Sequence, residues 1–112
     1  MARSDLRDVQ HFIGGKPVRA QSDRMADIFD PNTGAVQARV ALASAADVDA
    51  AVAAAKAAFP NWSAFNPQRR ARVMFEFKRL IERDMDALAR LLSSEHGKVI
   101  ADSKGDIQRG LE

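Results

Sequence analysis

The spacing of apolar residues changes partway along the chain and divides it into two kinds of structure. In the first part, Val36, Ala38, Val40 and Leu42 alternate with polar or small neighbours, which is the period-two pattern of a strand with one buried face. Further along, apolar residues recur every three or four positions, which is the spacing of amphipathic helices. We therefore predict a small antiparallel β unit over residues 11–42, followed by three α-helices.

Two turn sequences support the β unit. Gly14 and Gly15 lie between two short apolar pieces and supply the positive φ angles of a tight hairpin. The segment DPNTG at residues 30–34 combines a fixed proline φ, side chains that bond nearby backbone and an exit glycine, all typical of a turn. Residues 1–10 are mostly polar and are predicted to form a flexible lead-in.

Capping and stop signals set the bounds of the predicted helices. Ser44 with Asp47 three residues later resembles a capping box, and Pro60 is predicted to end that helix. Asn66 followed by proline is typical of an N-cap, and Gly97 of a left-handed C-cap. The predicted helices are residues 44–59, 66–96 and 99–112, the last of them cut by the chain end.

Composition narrows the classes of function. The 112 residues include 17 basic and 15 acidic side chains and no cysteine. A net charge of +2 does not by itself indicate a nucleic-acid or membrane partner. No apolar run reaches the roughly 20 residues that a membrane span needs, and no export signal is evident, so we expect a cytoplasmic protein. The absence of cysteine excludes a disulfide framework, a thiolate metal site and a cysteine nucleophile within this chain.

Several side chains that could carry chemistry have simpler structural explanations. His11 and His96 have no further ligands at metal-binding spacing, so no metal site is predicted. Ser93 to His96 lacks the setting of an activated serine, and an imidazolium there suits a helix C-terminus. Trp62 lies in a glycosylation pattern without an export signal and is predicted to anchor the core between helices.

Two glycines near the chain end frame the main candidate residue. Gly105 and Gly110 have a spacing seen in phosphate loops, but the Lys-Ser/Thr pair that must follow is absent. We therefore interpret the glycines as positions of close backbone packing. Arg109, beside the second glycine, fits two roles: a structural salt bridge, or a rigid fork offered to a carboxylate.

One predicted helix is locally basic between residues 69 and 83. Such a helix is found in modules that bind nucleic acid or acidic proteins. No aromatic platform alternates with the basic residues, so a solvated face is the favoured interpretation. The basic side chains are Arg69, Arg70, Arg72, Lys78, Arg79 and Arg83.

The order of several short motifs resembles the start of the NAD(P)-dependent aldehyde dehydrogenase superfamily. The motifs are HFIGGK at residues 11–16, DPNTG at 30–34, AAFPNW at 57–62, PQRRARVMF at 67–75 and EHGK at 95–98. Each motif alone is weak, but their order and spacing together are specific. Within that superfamily, the segment ADSKGDIQRGLE at residues 101–112 most resembles the CoA-acylating methylmalonate-semialdehyde dehydrogenases.

The resemblance implies an α/β parent of three domains: a Rossmann-like NAD domain, a catalytic domain and an oligomerising β extension. It also implies that the cysteine nucleophile, the glutamate base and the glycine-rich NAD turn lie beyond Glu112. In the parent, a thiolate would attack the aldehyde, hydride would pass to NAD, and the thioester would be released to coenzyme A. No catalytic, cofactor-binding or metal-ligating residue is therefore assigned to this chain, which is expected to be inactive alone.

The resemblance further implies that Arg109 binds the carboxylate of a semialdehyde substrate. The expected partners are that small molecule and further copies of the parent in a homo-oligomer, without nucleic acid or membrane. Two alternatives stay open: a non-acylating aldehyde dehydrogenase, and a helical interaction or nucleic-acid-binding module that uses residues 69–83. In isolation, the exposed β edges and the long apolar helix stripe predict self-association or partial disorder.

Overall fold

The computed structural model describes residues 6–112 and divides them into two units. Unit 1 contains the described residues up to Phe29 together with Val36–Ala64, and unit 2 contains Asp30–Ala35 together with Phe65–Glu112. The strands are β1 (Arg7–Val9), β2 (His11–Ile13), β3 (Lys16–Val18), β4 (Met25–Phe29) and β5 (Val36–Ala41). The helices are α1 (Ala45–Ala64), α2 (Pro67–Arg83), α3 (Met85–His96) and α4 (Ile100–Leu111).

Unit 1 holds a three-stranded sheet, in the order β1-β5-β4, and a two-stranded hairpin of β2 and β3. β4 and β5 are antiparallel, with Met25 opposite Ala41. The β2–β3 hairpin turns through Gly14 and Gly15, whose φ angles are 63° and 80°. Positive φ at both central residues matches the right-handed twist of the flanking strands, and the predicted glycine hairpin is confirmed.

The first strand corrects the prediction for residues 1–10. The pairings within residues 11–42 are antiparallel, as predicted, and β1 is added from outside that range by parallel pairing with β5. Residues 7–9 of the predicted lead-in are part of a strand, while residues 1–5 lie outside the described residues. The paired strands also carry an ion pair, in which Arg39 donates to Asp8 Oδ1 at 3.1 and 2.8 Å. This pair joins residues 31 positions apart, which the composition of the first ten residues does not reveal.

A capping box starts α1, as predicted. The backbone N–H and the hydroxyl of Ser44 each donate to Asp47 Oδ2 at 2.8 Å. The Asp47 amide donates back to the Ser44 hydroxyl at 3.2 Å. These bonds satisfy donors that every helix start leaves without an intrahelical partner.

The end of α1 differs from its prediction. The helix continues through Pro60 to Ala64. The fixed φ of proline is compatible with a helix. Its costs there are the lost N–H donor and the contact of its ring with a preceding carbonyl, and other interactions of the helix can outweigh them. Trp62 is 38% exposed, so the expectation that it anchors a core is wrong for the described chain.

Unit 2 contains two helices where a single helix over residues 66–96 was predicted. Asn66 caps α2, accepting from the Arg69 amide at 2.9 Å. The break falls at Asp84, whose φ of −99° and ψ of 12° are not helical. Its carboxylate binds the Arg83 guanidinium at 2.9 and 2.8 Å. Aspartate competes with helical hydrogen bonding through its short polar side chain, and the described chain has four helices instead of three.

Gly97 ends α3 in the left-handed conformation, as predicted. Its φ is 87°, and its amide donates to the Ser93 carbonyl at 2.8 Å. A Cβ at this position would lie 3.0 Å from Pro31 Cγ. The backbone after α3 is therefore constrained by conformation and by packing at once.

The buried residues of both units are small. Ala38 and Ala41 are buried in unit 1, and Ala89 and Ser103 are fully buried between α3 and α4. The larger apolar side chains of the predicted helix stripe are more exposed; Phe77, for example, is 55% exposed. Within residues 6–112, no helix is both long and apolar enough to cross a membrane.

Candidate functional site

The candidate site is the last turn of α4, where Arg109 lies on an exposed surface. Among residues 6–112, no side chain forms a hydrogen bond or an ion pair with the Arg109 guanidinium. A cation in the last turn of a helix is favoured by the helix dipole. The group therefore offers planar N–H donors in a geometry that matches a carboxylate.

Three contacts hold α4 against the structure before it. Lys98, in the short segment between α3 and α4, donates to Asp106 Oδ2. Lys104 Nζ lies 2.6 Å from Asp86 Oδ1 on α3. The Ser93 and Ser103 hydroxyls are 2.7 Å apart at the buried face of the two helices. Because α4 is fixed at several points along its length, the backbone that carries Arg109 is positioned in advance.

Two lysines lower the pKa values of the carboxylates that they bind, Asp106 on α4 and Asp86 on α3. The hydrogen bond from Lys98, and then the charge of Lys98, lower the pKa of Asp106, with smaller contributions from the charges of Arg109 and His96. The hydrogen bond from Lys104 likewise lowers the pKa of Asp86. At neutral pH this region therefore carries bound carboxylates together with an arginine that has no bonded partner.

An apolar groove lies beside this helix end. Its volume is about 540 Å³, and its walls include Phe77, Ile81, Leu88, Leu91, Ile107 and Leu111. Gly110 lines this groove and a second one of about 280 Å³, whereas Arg109 lines neither. A Cβ at Gly105 or Gly110 would meet no described atom within 4 Å. The predicted close packing at these glycines is therefore absent within the described chain.

A second cluster of polar groups lies in unit 1 around Asp47, which is only 3% exposed. Besides its bonds to Ser44, the carboxylate accepts from the Gln21 amide at 2.9 Å. The backbone bonds from Ser44 and Gln21 lower the pKa of Asp47 from 3.8 to about 2. His11 Nε2 is buried, lies 3.8 Å from Asp47 Oδ2 and has no hydrogen-bond partner among the described residues. The cluster ties a loop to the start of α1, which is a structural role.

Metal binding and nucleic-acid binding gain no support from the described residues. In residues 6–112, no group of three or more His, Asp or Glu side chains could hold a metal ion. On α2, Arg79 donates to Glu76 at 2.9 and 2.6 Å, and Lys78 Nζ lies 3.6 Å from Glu82 Oε1. Acidic side chains thus neutralise part of the basic helix, and the face is not uniformly positive.

Both the sequence and the fold of this chain are similar to those of known proteins. The model of the aldehyde dehydrogenase family matches residues 18–112, and the chain belongs to this family. A crystal structure described as a methylmalonate-semialdehyde dehydrogenase from Sinorhizobium meliloti, in complex with NAD, superposes with a TM-score of 0.94 at 56% identity and covers 97% of this chain. The structure of methylmalonate-semialdehyde dehydrogenase from Oceanimonas doudoroffii gives a TM-score of 0.91 at 40% identity over 95% of this chain.

Curated relatives are similar to this chain over nearly all of its length. Malonate-semialdehyde dehydrogenase 1 of Shouchella clausii is 40% identical over 108 residues, which is 96% of this chain. The human mitochondrial methylmalonate-semialdehyde/malonate-semialdehyde dehydrogenase is 40% identical over 109 residues. The chain spans 22% of the length of the Shouchella protein and of both solved structures.

The described residues do not fit a dinucleotide site. A dinucleotide-binding turn places glycines between a strand and the N-terminus of the helix that follows. The glycines with positive φ in residues 6–112 lie elsewhere: in the β2–β3 hairpin, in the β4–β5 turn and at the end of α3. No contact to NAD is therefore assigned to them.

The sequence does not predict the ion pair between Lys98 and Asp106, the second of which lies three positions before Arg109. Lys98 and Asp106 are eight positions apart, a separation that matches no helical or strand spacing across the Gly97 turn. The available signal was the glycine C-cap in the EHGK motif at residues 95–98, which places Lys98 in a short connection between two helices. Only the three-dimensional structure shows that Lys98 pairs with Asp106.

Proposed function

We propose that this chain is the N-terminal part of an NAD-dependent, CoA-acylating dehydrogenase for malonate or methylmalonate semialdehyde, acting as a cytoplasmic homo-oligomer. Three observations support the proposal. The chain belongs to the aldehyde dehydrogenase family. Its relatives carry names that specify malonate or methylmalonate semialdehyde. Its last helix presents an arginine without an ion-pair partner in the described chain.

Arg109 is the observation that carries the choice of substrate. A malonate-type semialdehyde has an aldehyde at one end and a carboxylate at the other. The carboxylate needs a cation that is positioned in advance and is not already paired, because an existing ion pair would compete with binding. Arg109 meets both conditions, since α4 is fixed to α3 and the guanidinium has no partner in residues 6–112.

The oxidation itself requires groups outside this chain. In the acylating reaction the aldehyde carbon is oxidised to a thioester, NAD accepts the hydride, and coenzyme A becomes the final acyl carrier. The chain contains no cysteine to act as the nucleophile. Its own contribution is to bind and orient the substrate carboxylate, and we expect the 112-residue polypeptide alone to be inactive.

Substitution of Arg109 in the full-length dehydrogenase that carries this segment tests the role. We expect Arg109→Met to raise KM for malonate semialdehyde by about 10- to 100-fold, because a charge-assisted bidentate hydrogen bond is lost. KM for propanal, which has the same chain length without the carboxylate, is expected to stay unchanged. Steady-state kinetics with both aldehydes measures the difference.

Arg90→Met is the matched control, because Arg90 is an exposed arginine on α3 and its substitution removes the same charge. We expect it to leave both KM values unchanged. An equal loss on both aldehydes in the Arg109 variant would instead mark a structural role and would contradict the proposal.

Two further assays separate the remaining alternatives. Thioester formation that requires added coenzyme A supports the acylating reaction, whereas free acid formed equally well without it identifies a non-acylating enzyme. NAD reduction by the isolated 112-residue chain with a semialdehyde would contradict its assignment as an inactive segment. The first assay identifies the acyl product, and the second follows the absorbance of the reduced cofactor.

A further inference from the structure

The freedom of Arg109 needs an explanation, because a carboxylate lies one helical turn away from it. Asp106 and Arg109 are three positions apart on α4, a spacing at which acidic and basic side chains pair within a helix. The same spacing on α2 does produce a pair, since Arg79 donates twice to Glu76, at 2.9 and 2.6 Å. Asp106 and Arg109 make no such bond in this structure.

The two helices differ in what else binds the carboxylate. Lys98 binds Asp106 Oδ2 from outside α4, so this carboxylate already has a cationic partner, whereas no second cation forms an ion pair with Glu76 among residues 6–112. The lysine side chain is 22% exposed, compared with 47% for Lys78 and 45% for Lys104 in their own ion pairs. Lys98 is thus the most enclosed of these three paired lysines.

The backbone before Lys98 makes this arrangement reproducible. Gly97 adopts a φ of 87°, and a Cβ there would lie 3.0 Å from Pro31 Cγ. The lysine therefore leaves a turn that is constrained both by its conformation and by a neighbouring ring. Its side chain spans the short distance to α4 without having to order a flexible loop first, which reduces the entropy cost of the ion pair.

We propose that Lys98 is a positioning residue: by binding Asp106 it keeps Arg109 available to the carboxylate of the substrate. This inference rests on the proposed function of Arg109. Without the lysine, Asp106 becomes an internal competitor that occupies the guanidinium in the free enzyme. The substrate must then displace this partner, so its KM rises, while a neutral aldehyde that does not use Arg109 is unaffected.

The first test is Lys98→Met in the full-length dehydrogenase. An ion pair between residues three apart on an exposed helix face is weak, so we expect KM for malonate semialdehyde to rise about twofold with kcat unchanged. KM for propanal is expected to remain at the wild-type value. A crystal structure of the free variant is expected to show the Arg109 guanidinium within ion-pair distance of Asp106, which is a readout independent of activity.

Two rescue variants distinguish competition from a general structural role. Lys98→Arg retains the charge and is expected to restore the wild-type KM. The double variant Lys98→Met/Asp106→Asn removes the competitor together with the lysine, and it is also expected to restore that KM. A purely structural ion pair predicts the opposite for the double variant, because the contact between the segment and α4 stays lost.

The outcomes separate this inference from the function on which it rests. A selective effect of Arg109→Met combined with a silent Lys98→Met, or with a double variant that keeps the raised KM, overturns the positioning role alone. An Arg109→Met variant that affects both aldehydes equally overturns the proposed carboxylate site, and the positioning role with it.

Discussion

Asp47 and Arg109 are both charged side chains on helices, yet they differ in burial and in hydrogen bonding. Asp47 is 3% exposed and accepts hydrogen bonds from the amide and hydroxyl of Ser44 and from the Gln21 amide. Arg109 is exposed and bonds to no side chain within residues 6–112. Asp47 is hydrogen-bonded by residues of its own unit, whereas Arg109 forms no hydrogen bond or ion pair with a side chain of the described chain.

The difference shows how a charge that stabilises the fold can be distinguished from a charge that binds a ligand. Burying an ion costs free energy that only internal hydrogen bonds offset, so a charge used for folding is surrounded by donors from the same chain. A charge used for a ligand must keep its donors unoccupied until the ligand arrives. On α4 the nearby acid is bound by another residue, Lys98, and this is the condition that leaves Arg109 unoccupied.

Among the effects on the fold itself, the largest is expected from removing the buried charge of Asp47. Asp47→Ala deletes the acceptor for the amides of the exposed Gln21 and the half-buried Ser44, so both lose their protein partner. We expect these amides to exchange roughly tenfold faster, because the N-cap bonds that hold the start of α1 are lost. Hydrogen exchange followed by NMR or mass spectrometry measures the change.

Asp47→Asn is the matched control for that experiment. The amide oxygen keeps one neutral acceptor at the same place, so we expect a smaller acceleration than in the alanine variant. If neither substitution alters exchange at Gln21 and Ser44, the contrast between the two charges is lost, since Asp47 would then contribute no more to the fold than a surface residue.

Local chemistry made parts of unit 1 predictable from the sequence. Ser44 and Asp47 are three positions apart, so their capping box could be recognised from spacing alone. The Gly14-Gly15 hairpin was recognisable for the same reason, because few residues other than glycine adopt its φ angles readily. Gln21 joins the Asp47 cluster from 26 positions away, and no local pattern encodes that contact.

The errors in the predicted fold come from the same limit. Pro60 does not end α1, because a local stop signal does not by itself outweigh the rest of a helix. Asp84 does separate α2 from α3, although the apolar spacing of the stripe continues across the break. The parallel pairing of β1 with β5, which includes the Arg39–Asp8 ion pair, joins distant parts of the sequence.

The candidate site was predictable only in part. Arg109 was identified through a family resemblance, and its position on an exposed helix end is now described, while its role remains a proposal. The Lys98–Asp106 pair crosses a turn, so only the geometry of the Gly97 cap brings the two side chains together. Sequence spacing describes single elements well and the connections between them poorly.

The pH dependence of stability is expected to show a smaller effect of Asp47. Backbone hydrogen bonds from Ser44 and Gln21 lower the pKa of Asp47 from 3.8 to about 2 in the folded state. Above about pH 4 the carboxylate is ionised whether the chain is folded or not, so its stabilisation is fully present. Below about pH 4 the unfolded chain takes up a proton first, and the stabilisation falls until about pH 2.

Denaturant unfolding between pH 5 and pH 2 measures this contribution. The acidic residues of unit 2 whose pKa values are also lowered will add their own pH dependence. Asp47→Asn removes only the contribution of Asp47, so the difference between wild type and this variant isolates it. We expect that difference to be largest near pH 5 and to shrink as the pH falls towards 2. A difference that stays constant from pH 5 to pH 2 would contradict the assigned pKa shift.

The smallest expected effect is that of Arg109 on stability. Because its guanidinium bonds to no side chain in the described chain, Arg109→Ala should change the free energy of unfolding by no more than about 0.5 kcal/mol. The same residue is expected to change KM for a carboxylated aldehyde by more than tenfold when replaced by methionine. A large kinetic effect without a stability effect is the signature of a group that is kept for a ligand. If Arg109→Ala instead destabilised the protein as much as Asp47→Ala, the arginine would have a partner in the fold of the full-length protein, and its role would be structural like that of Asp47.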